Sequence, residues 1–150
     1  MTGTNHGLTG AMIAVLVKEP AVAIPLSFVS HFACDAIPHY GLAKDEELLG
    51  NKFNLILIVD FILAVSLMAV FGIRFPSQKW IIWGCMASAA SPDLAWAYYH
   101  LYLEKLKKRT AKLDILSNFH HWIQWSQTPN GKFVEIFWFL SMGAIILSQR

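Results

Sequence analysis

Residues 53–73, from Phe53 to Ile73, read FNLILIVDFILAVSLMAVFGI, and Asp60 is the one ionisable side chain in the run. About 20 residues at a rise of 1.5 Å each give a helix of about 30 Å, the thickness of a bilayer's hydrocarbon core. This stretch reads as a membrane span. Beyond it, Arg74 to Lys79 form a short polar turn, and a fourth apolar segment runs from Trp80 to about Leu103 with Pro92 inside it. A proline removes a backbone hydrogen bond and kinks a helix. Within a membrane such a break is tolerated where neighbours re-satisfy the backbone. A fifth apolar segment, Phe133 to Leu147, follows the turn Thr128-Pro129-Asn130-Gly131. Upstream, Gly7 to Val17 and Ala21 to Pro38 are separated by Lys18-Glu19-Pro20. The first of these, at about 18 Å as a helix, is too short to span alone. The pair predicts a helical hairpin turning at Lys18–Pro20. The fold class is therefore all-α: a small polytopic membrane helical bundle with an N-terminal helical hairpin, one membrane-embedded domain over residues 1–150.

Composition agrees. Of 150 residues, 55% are hydrophobic and 15% are charged, with a mean hydropathy of +0.44. Disordered chains are polar and highly charged, and soluble domains carry about a quarter charged residues. The net charge of +2 is too small to point to nucleic acid. Cys34 and Cys85 lie in apolar runs and form no CxxC pair or disulfide framework. Met1 to Gly7 has no basic residue, so the N-terminus reads as mature protein rather than a signal peptide. Basic residues concentrate in Lys105–Lys112, KLKKRTAK, against only Arg74 and Lys79 in the opposite turn. The positive-inside rule places KLKKRTAK in the cytoplasm, together with the polar loop Tyr40 to Lys52. KLKKRTAK would also attract anionic membrane lipids. Asn118 to Gln127, NFHHWIQWSQ, reads as an interfacial helix.

Ionisable residues inside apolar segments are costly and point inward to a partner. Here they are His6, His31, Asp35, His39, Asp60, Asp93 and the pair His120-His121. His31 and Asp35 form an HxxxD pair on one helix face. An imidazole and a carboxylate one turn apart can chelate a divalent ion, and Zn²⁺ takes such N and O ligands. Mn²⁺ is the alternative ion. With the hairpin apex near Glu19, His6 and His31 each lie roughly 18–20 Å from it and so at one level. Asp60 and Asp93 fall in the same, cytoplasmic half. Each residue has a plainer reading as well. His39 could cap a helix after Pro38. Asp60 could pair with a cation or orient a metal-bound imidazole. Asp93 could cap a kink, and Glu135 could reach water from a span end. The small residues Gly84, Ala87, Ser88 and Ser91 read as a packing stripe.

Asn5-His6-Gly7-Leu8-Thr9-Gly10-Ala11, His31 to His39 (HFACDAIPH), Ser91-Pro92-Asp93 and His120-His121 resemble the YdjM-like family. Its members are small bacterial inner-membrane proteins described as membrane-bound metal-dependent hydrolases. The resemblance runs through most of the chain as scattered motifs. It implies a helical membrane bundle with His6, His31, Asp35 and Asp93 as metal ligands, completed by His120 or His121. The chain departs from the family's PDxDH pattern after Asp93 and from its HRxxTHS pattern at His120-His121-Trp122.

The expected activity is metal-dependent hydrolysis of a phosphoester or lipid-linked substrate at the cytoplasmic side of the inner membrane. His120 is the fifth metal ligand in this reading. Asp60 and His121 are the catalytic residues, either able to serve as general base. The alternatives are a non-catalytic metal-binding or transport protein and a structural membrane protein. The nearly apolar run Phe61 to Phe71 counts against an ion path through the membrane.

Overall fold

The computed structural model describes residues 1–41, 50–98, 102, 107 and 114–149. KLKKRTAK, apart from Lys107, lies outside the described residues, as do most of the Tyr40–Lys52 loop and His100. The fold is helical: α1 (Gly3–Val17), α2 (Pro20–Asp35), α3 (Asn51–Arg74), α4 (Lys79–Ala97), α5 (Ile115–Ile123) and α6 (Lys132–Ser148). Two residues, His39–Tyr40 (β1), pair in parallel with Gln127–Thr128 (β2).

The N-terminal hairpin forms where its breakers stand. Lys18 ends α1 in the left-handed region at φ 62°, and its N–H donates to the Ala14 carbonyl at 3.1 Å. Glu19 caps α2, and Pro20 sits at its first turn, where its missing N–H is no loss. α1 is buried along almost its whole length, from Thr4 to Val15. A helix apolar on all sides belongs at the centre of a bundle, and α2, α3, α4 and α6 all pack around α1. The closest approach is at Gly10, where a Cβ would collide with the Cys85 backbone of α4. The small-residue stripe on α4 serves packing against α2: Gly84 faces Ile24, and Ser88 Oγ donates to the Ile24 carbonyl at 2.9 Å.

The apolar core gathers Leu8, Ala11 and Val15 of α1 with Ile82, Cys85 and Met86 of α4 and Ile146 of α6. His6, His31 and Asp35 lie at the other end of the hairpin.

α3 and the stretch Pro129–Ser148 are long and apolar enough to cross a membrane, with mean hydropathies of 2.7 and 1.5. Neither is a core helix, since only 6% and 22% of their most apolar windows are buried. α3 leans on α4 chiefly at its C-terminal end, where Trp83 Nε1 donates to the Met68 carbonyl at 2.8 Å. Phe61, at 70% exposure, and Ile73, at 83%, point outward. α4 keeps Pro92 within its helical span, Lys79–Ala97. Tyr98 and Tyr102 are helical as well, and the rest of the stretch expected to run to about Leu103 lies outside the described residues.

Candidate metal centre

The site begins with the last turn of α2. His31 and Asp35 are one turn apart there, both fully buried. His6 comes from α1 at the same level, and its ring stacks on that of His31 at a centroid distance of 3.9 Å. This is the depth match that the hairpin geometry predicts. α5 then lies across the end of α2. Ser126 Oγ, just past α5, donates to the Ile37 carbonyl at 2.9 Å, and this seat turns His120 inward.

Three imidazole Nε2 atoms converge on one carboxylate. His120 Nε2 lies 2.9 Å from Asp35 Oδ2, His31 Nε2 lies 3.2 Å from the same oxygen, and His6 Nε2 lies 3.1 Å from Oδ1. His31 and His120 Nε2 are 2.9 Å apart. Asp93 Oδ1 stands 3.8 Å from His31 Nε2 and 3.7 Å from His120 Nε2. Gln124 adds its amide nitrogen, 3.0 Å from His120 Nε2 and 3.3 Å from Asp35 Oδ2. The Met1 amino group also rests on Asp35 Oδ1.

The donor set fits a cation. His31 Nδ1 is 2.8 Å from the Ala89 carbonyl, which can only accept, so the proton sits on Nδ1 and Nε2 carries the lone pair. That is the outer contact by which metal-binding imidazoles are fixed. Both nitrogens of His6, although buried, make no hydrogen bond among the described residues. Unpaired buried polar atoms are rare and call for a partner. Donors about 2.0–2.1 Å from a tetrahedral ion lie roughly 3.3 Å from one another. The separations within the cluster fall around that value. Two groups, His31-Asp35-His120 and His6-His31-Asp93, have all their ligand atoms within 4.8 Å and could hold a metal ion.

All five residues expected as ligands are thus brought together: His6, His31, Asp35, Asp93 and His120. The two expected catalytic residues are not. Asp60 turns toward the first turn of α1, where its carboxylate accepts from Gly3 N at 2.8 Å and Thr4 N at 3.0 Å. The free amides of a helix N-terminus need acceptors, and Asp60 supplies them from α3. In this position Asp60 anchors the start of α1. His121 is exposed on α5, while its neighbour His120 is buried. A 100° step along the helix carries neighbouring side chains to different faces.

Two residues have roles that the linear reading assigns differently. Glu135 is buried rather than reaching water, and it binds Thr2 N at 3.1 Å and Asn5 Nδ2 at 2.6 Å. Its place in the first turn of an apolar helix was the available signal. His39 is fully buried, with Nδ1 2.8 Å from the Ile37 carbonyl and Nε2 3.9 Å from Asp35 Oδ1. Burial holds its imidazole below the usual histidine pKa.

Fold and site together define a helical protein with two apolar, outward-facing helices and a buried His/Asp cluster that could hold a metal ion. No protein-family model, curated protein or solved structure matches the chain.

Proposed function

We propose that the protein is an integral membrane, metal-dependent hydrolase, similar to the YdjM-like family, acting on a phosphoester or lipid-linked substrate at the cytoplasmic face of a bacterial inner membrane. The observation that carries this reading is the convergence of His6, His31 and His120 Nε2 on the buried Asp35 carboxylate. Zn²⁺ is the ion that suits this imidazole and carboxylate set, with Mn²⁺ second. Such an ion supplies Lewis acidity, polarising a phosphoryl oxygen and acidifying water.

The chain's own residues do the rest. Asp35, His31 and His120 hold the ion. Ala89, through its carbonyl, fixes the His31 tautomer. Asp93 is the ligand group open to solvent, its side chain 35% exposed against 0% for Asp35 and His31. The approach for substrate and water is therefore on the Asp93 side.

A membrane setting is supported by the exposed large apolar side chains along α3 and α6, among them Leu55, Phe61, Phe137 and Leu140. A largely apolar cleft of about 520 Å³ lies between these helices, lined by Leu55, Val59, Leu63, Ile136 and Leu140, with Asn5 and Asp60 also at its wall. The confinement of the buried ionisable groups to one end of the hairpin favours hydrolysis over transport, because a path needs polar groups through the whole depth.

The test is the metal content of the detergent-solubilised protein by elemental mass spectrometry, beside the His31→Ala/Asp35→Ala double variant. Stoichiometric zinc or manganese lost in the variant supports the centre and justifies a phosphoester screen. No metal in either protein overturns it.

A further inference from the structure

The two oxygens of Asp35 face different histidines. Oδ2 faces His120 at 2.9 Å and His31 at 3.2 Å, while Oδ1 faces His6 at 3.1 Å and His39 at 3.9 Å. His39 reaches the Oδ1 side alone. It is fully buried, and its Nε2 makes no hydrogen bond among the described residues. Its Nδ1 sits 2.8 Å from the Ile37 carbonyl. A carbonyl only accepts, so in the neutral ring the proton is on Nδ1 and Nε2 is a bare lone pair.

A lone pair facing a carboxylate oxygen inside a protein is unfavourable unless positive charge lies between them. His6 has the same need, since neither of its ring nitrogens is hydrogen-bonded. The position of His39 is built, not incidental. His39 and Tyr40 are clamped against Gln127 and Thr128 by the β1–β2 pairing, and Gly131 leaves no room for a Cβ against the His39 carbonyl. Oδ1 thus also faces two imidazole nitrogens, His6 at 3.1 Å and His39 at the longer 3.9 Å, with the Met1 amine on the same oxygen.

We propose that the centre is binuclear, with the Asp35 carboxylate bridging two divalent cations, one held with His31 and His120 on Oδ2 and the other with His6 and His39 on Oδ1. The proposal rests on the metal-centre reading above. It adds His39 as a ligand and gives Asp35 its shared role. Paired cations about 3.5–4 Å apart are the arrangement that clamps both the attacking and the leaving oxygen of a phosphoester. The cationic group on the page that competes for Oδ1 is the Met1 amine.

The experiment loads the full-length protein in detergent with excess Mn²⁺, removes free ion, and reads metal per chain by elemental mass spectrometry and coupling by electron paramagnetic resonance. The expected result is two Mn²⁺ per chain with an exchange-coupled spectrum. His39→Ala should fall to one per chain with an uncoupled six-line spectrum, and His39→Gln should do the same if the alanine variant does not fold by circular dichroism. One uncoupled Mn²⁺ per wild-type chain overturns the second position and leaves the first. Two per chain in the folded His39 variants also overturns the assignment. No bound Mn²⁺ in the wild type overturns both this proposal and the hydrolase reading.

Discussion

Asp35 Oδ2 and His120 Nε2 lie 2.9 Å apart although 85 positions separate them in the chain. The contact depends on α5 lying over the end of α2, and it selects His120 from two adjacent histidines. His120→Ala should therefore lower metal affinity by at least the roughly 10–100-fold typical of losing an outer-sphere partner. His121→Ala should leave it unchanged. Metal retained per chain after dialysis against a weak chelator separates the two, and equal loss in both variants would refute the assignment.

Gln124 touches both members of that pair through its amide. It acts by positioning them. Gln124→Leu, which keeps the volume and removes the amide, should weaken metal binding by about 10–100-fold while the helix content stays the same. A chelator competition titration with a zinc indicator, read beside circular dichroism, checks this.

Asp60 anchors α1 rather than the cluster. Asp60→Ala removes the acceptor of two helix-terminal amides and a negative charge at the positive end of the helix, at a cost of about 1–2 kcal/mol. The melting temperature in detergent should fall while metal per chain stays at the wild-type value. Loss of metal with unchanged stability would return Asp60 to the centre.

The tightest helix contact is at Gly10, against the Cys85 backbone, and backbone cannot move aside as a side chain can. Gly10→Ala should destabilise by about 1–3 kcal/mol or prevent accumulation of folded protein. Gly143, in α6, meets nothing within 4 Å. Gly143→Ala should be neutral or stabilise by about 0.5–1 kcal/mol, because alanine loses less backbone freedom in a helix. Thermal unfolding of the two variants in one detergent makes the comparison.

Phe61 lies near the middle of α3 and faces outward. If α3 spans the membrane, Phe61→Arg should disfavour insertion by about 2.5–3.5 kcal/mol and shift the protein toward the soluble or degraded fraction. An arginine on a water-exposed helix would do the opposite and improve solubility. Carbonate extraction of membranes from cells expressing each form tells these apart.

The candidate metal centre was partly legible before any fold was known. His31 and Asp35 share a helix face because 3.6 residues make a turn. The breakers at Lys18, Glu19 and Pro20 place His6 level with His31, and the two rings stack at 3.9 Å. The carboxylates could not be sorted in the same way. Asp35, Asp60 and Glu135 all sit in apolar runs, yet one joins the imidazoles and two hold the start of α1. The difference comes from which distant donors each carboxylate meets, and those donors lie up to 133 positions away. β1–β2 was invisible for a similar reason: two residues carry no periodicity, and the pairing exists only because α5 returns the chain to the end of α2.

By itself the sequence determined the helical class, the hairpin and its turn, and the apolar length of α3; it also read Trp80 to Leu103 as a span, whereas the candidate spans among the described residues are α3 and Pro129–Ser148. Length, hydropathy and chain breakers act within a few residues of one another, so they are set locally. Tertiary structure alone decided that His120 rather than His121 faces Asp35, that Asp60 and Glu135 serve the α1 terminus, and that His39 is buried beside Asp35 Oδ1. Those outcomes depend on where packed elements exclude water and leave polar atoms facing one another, and no stretch of chain holds that information alone.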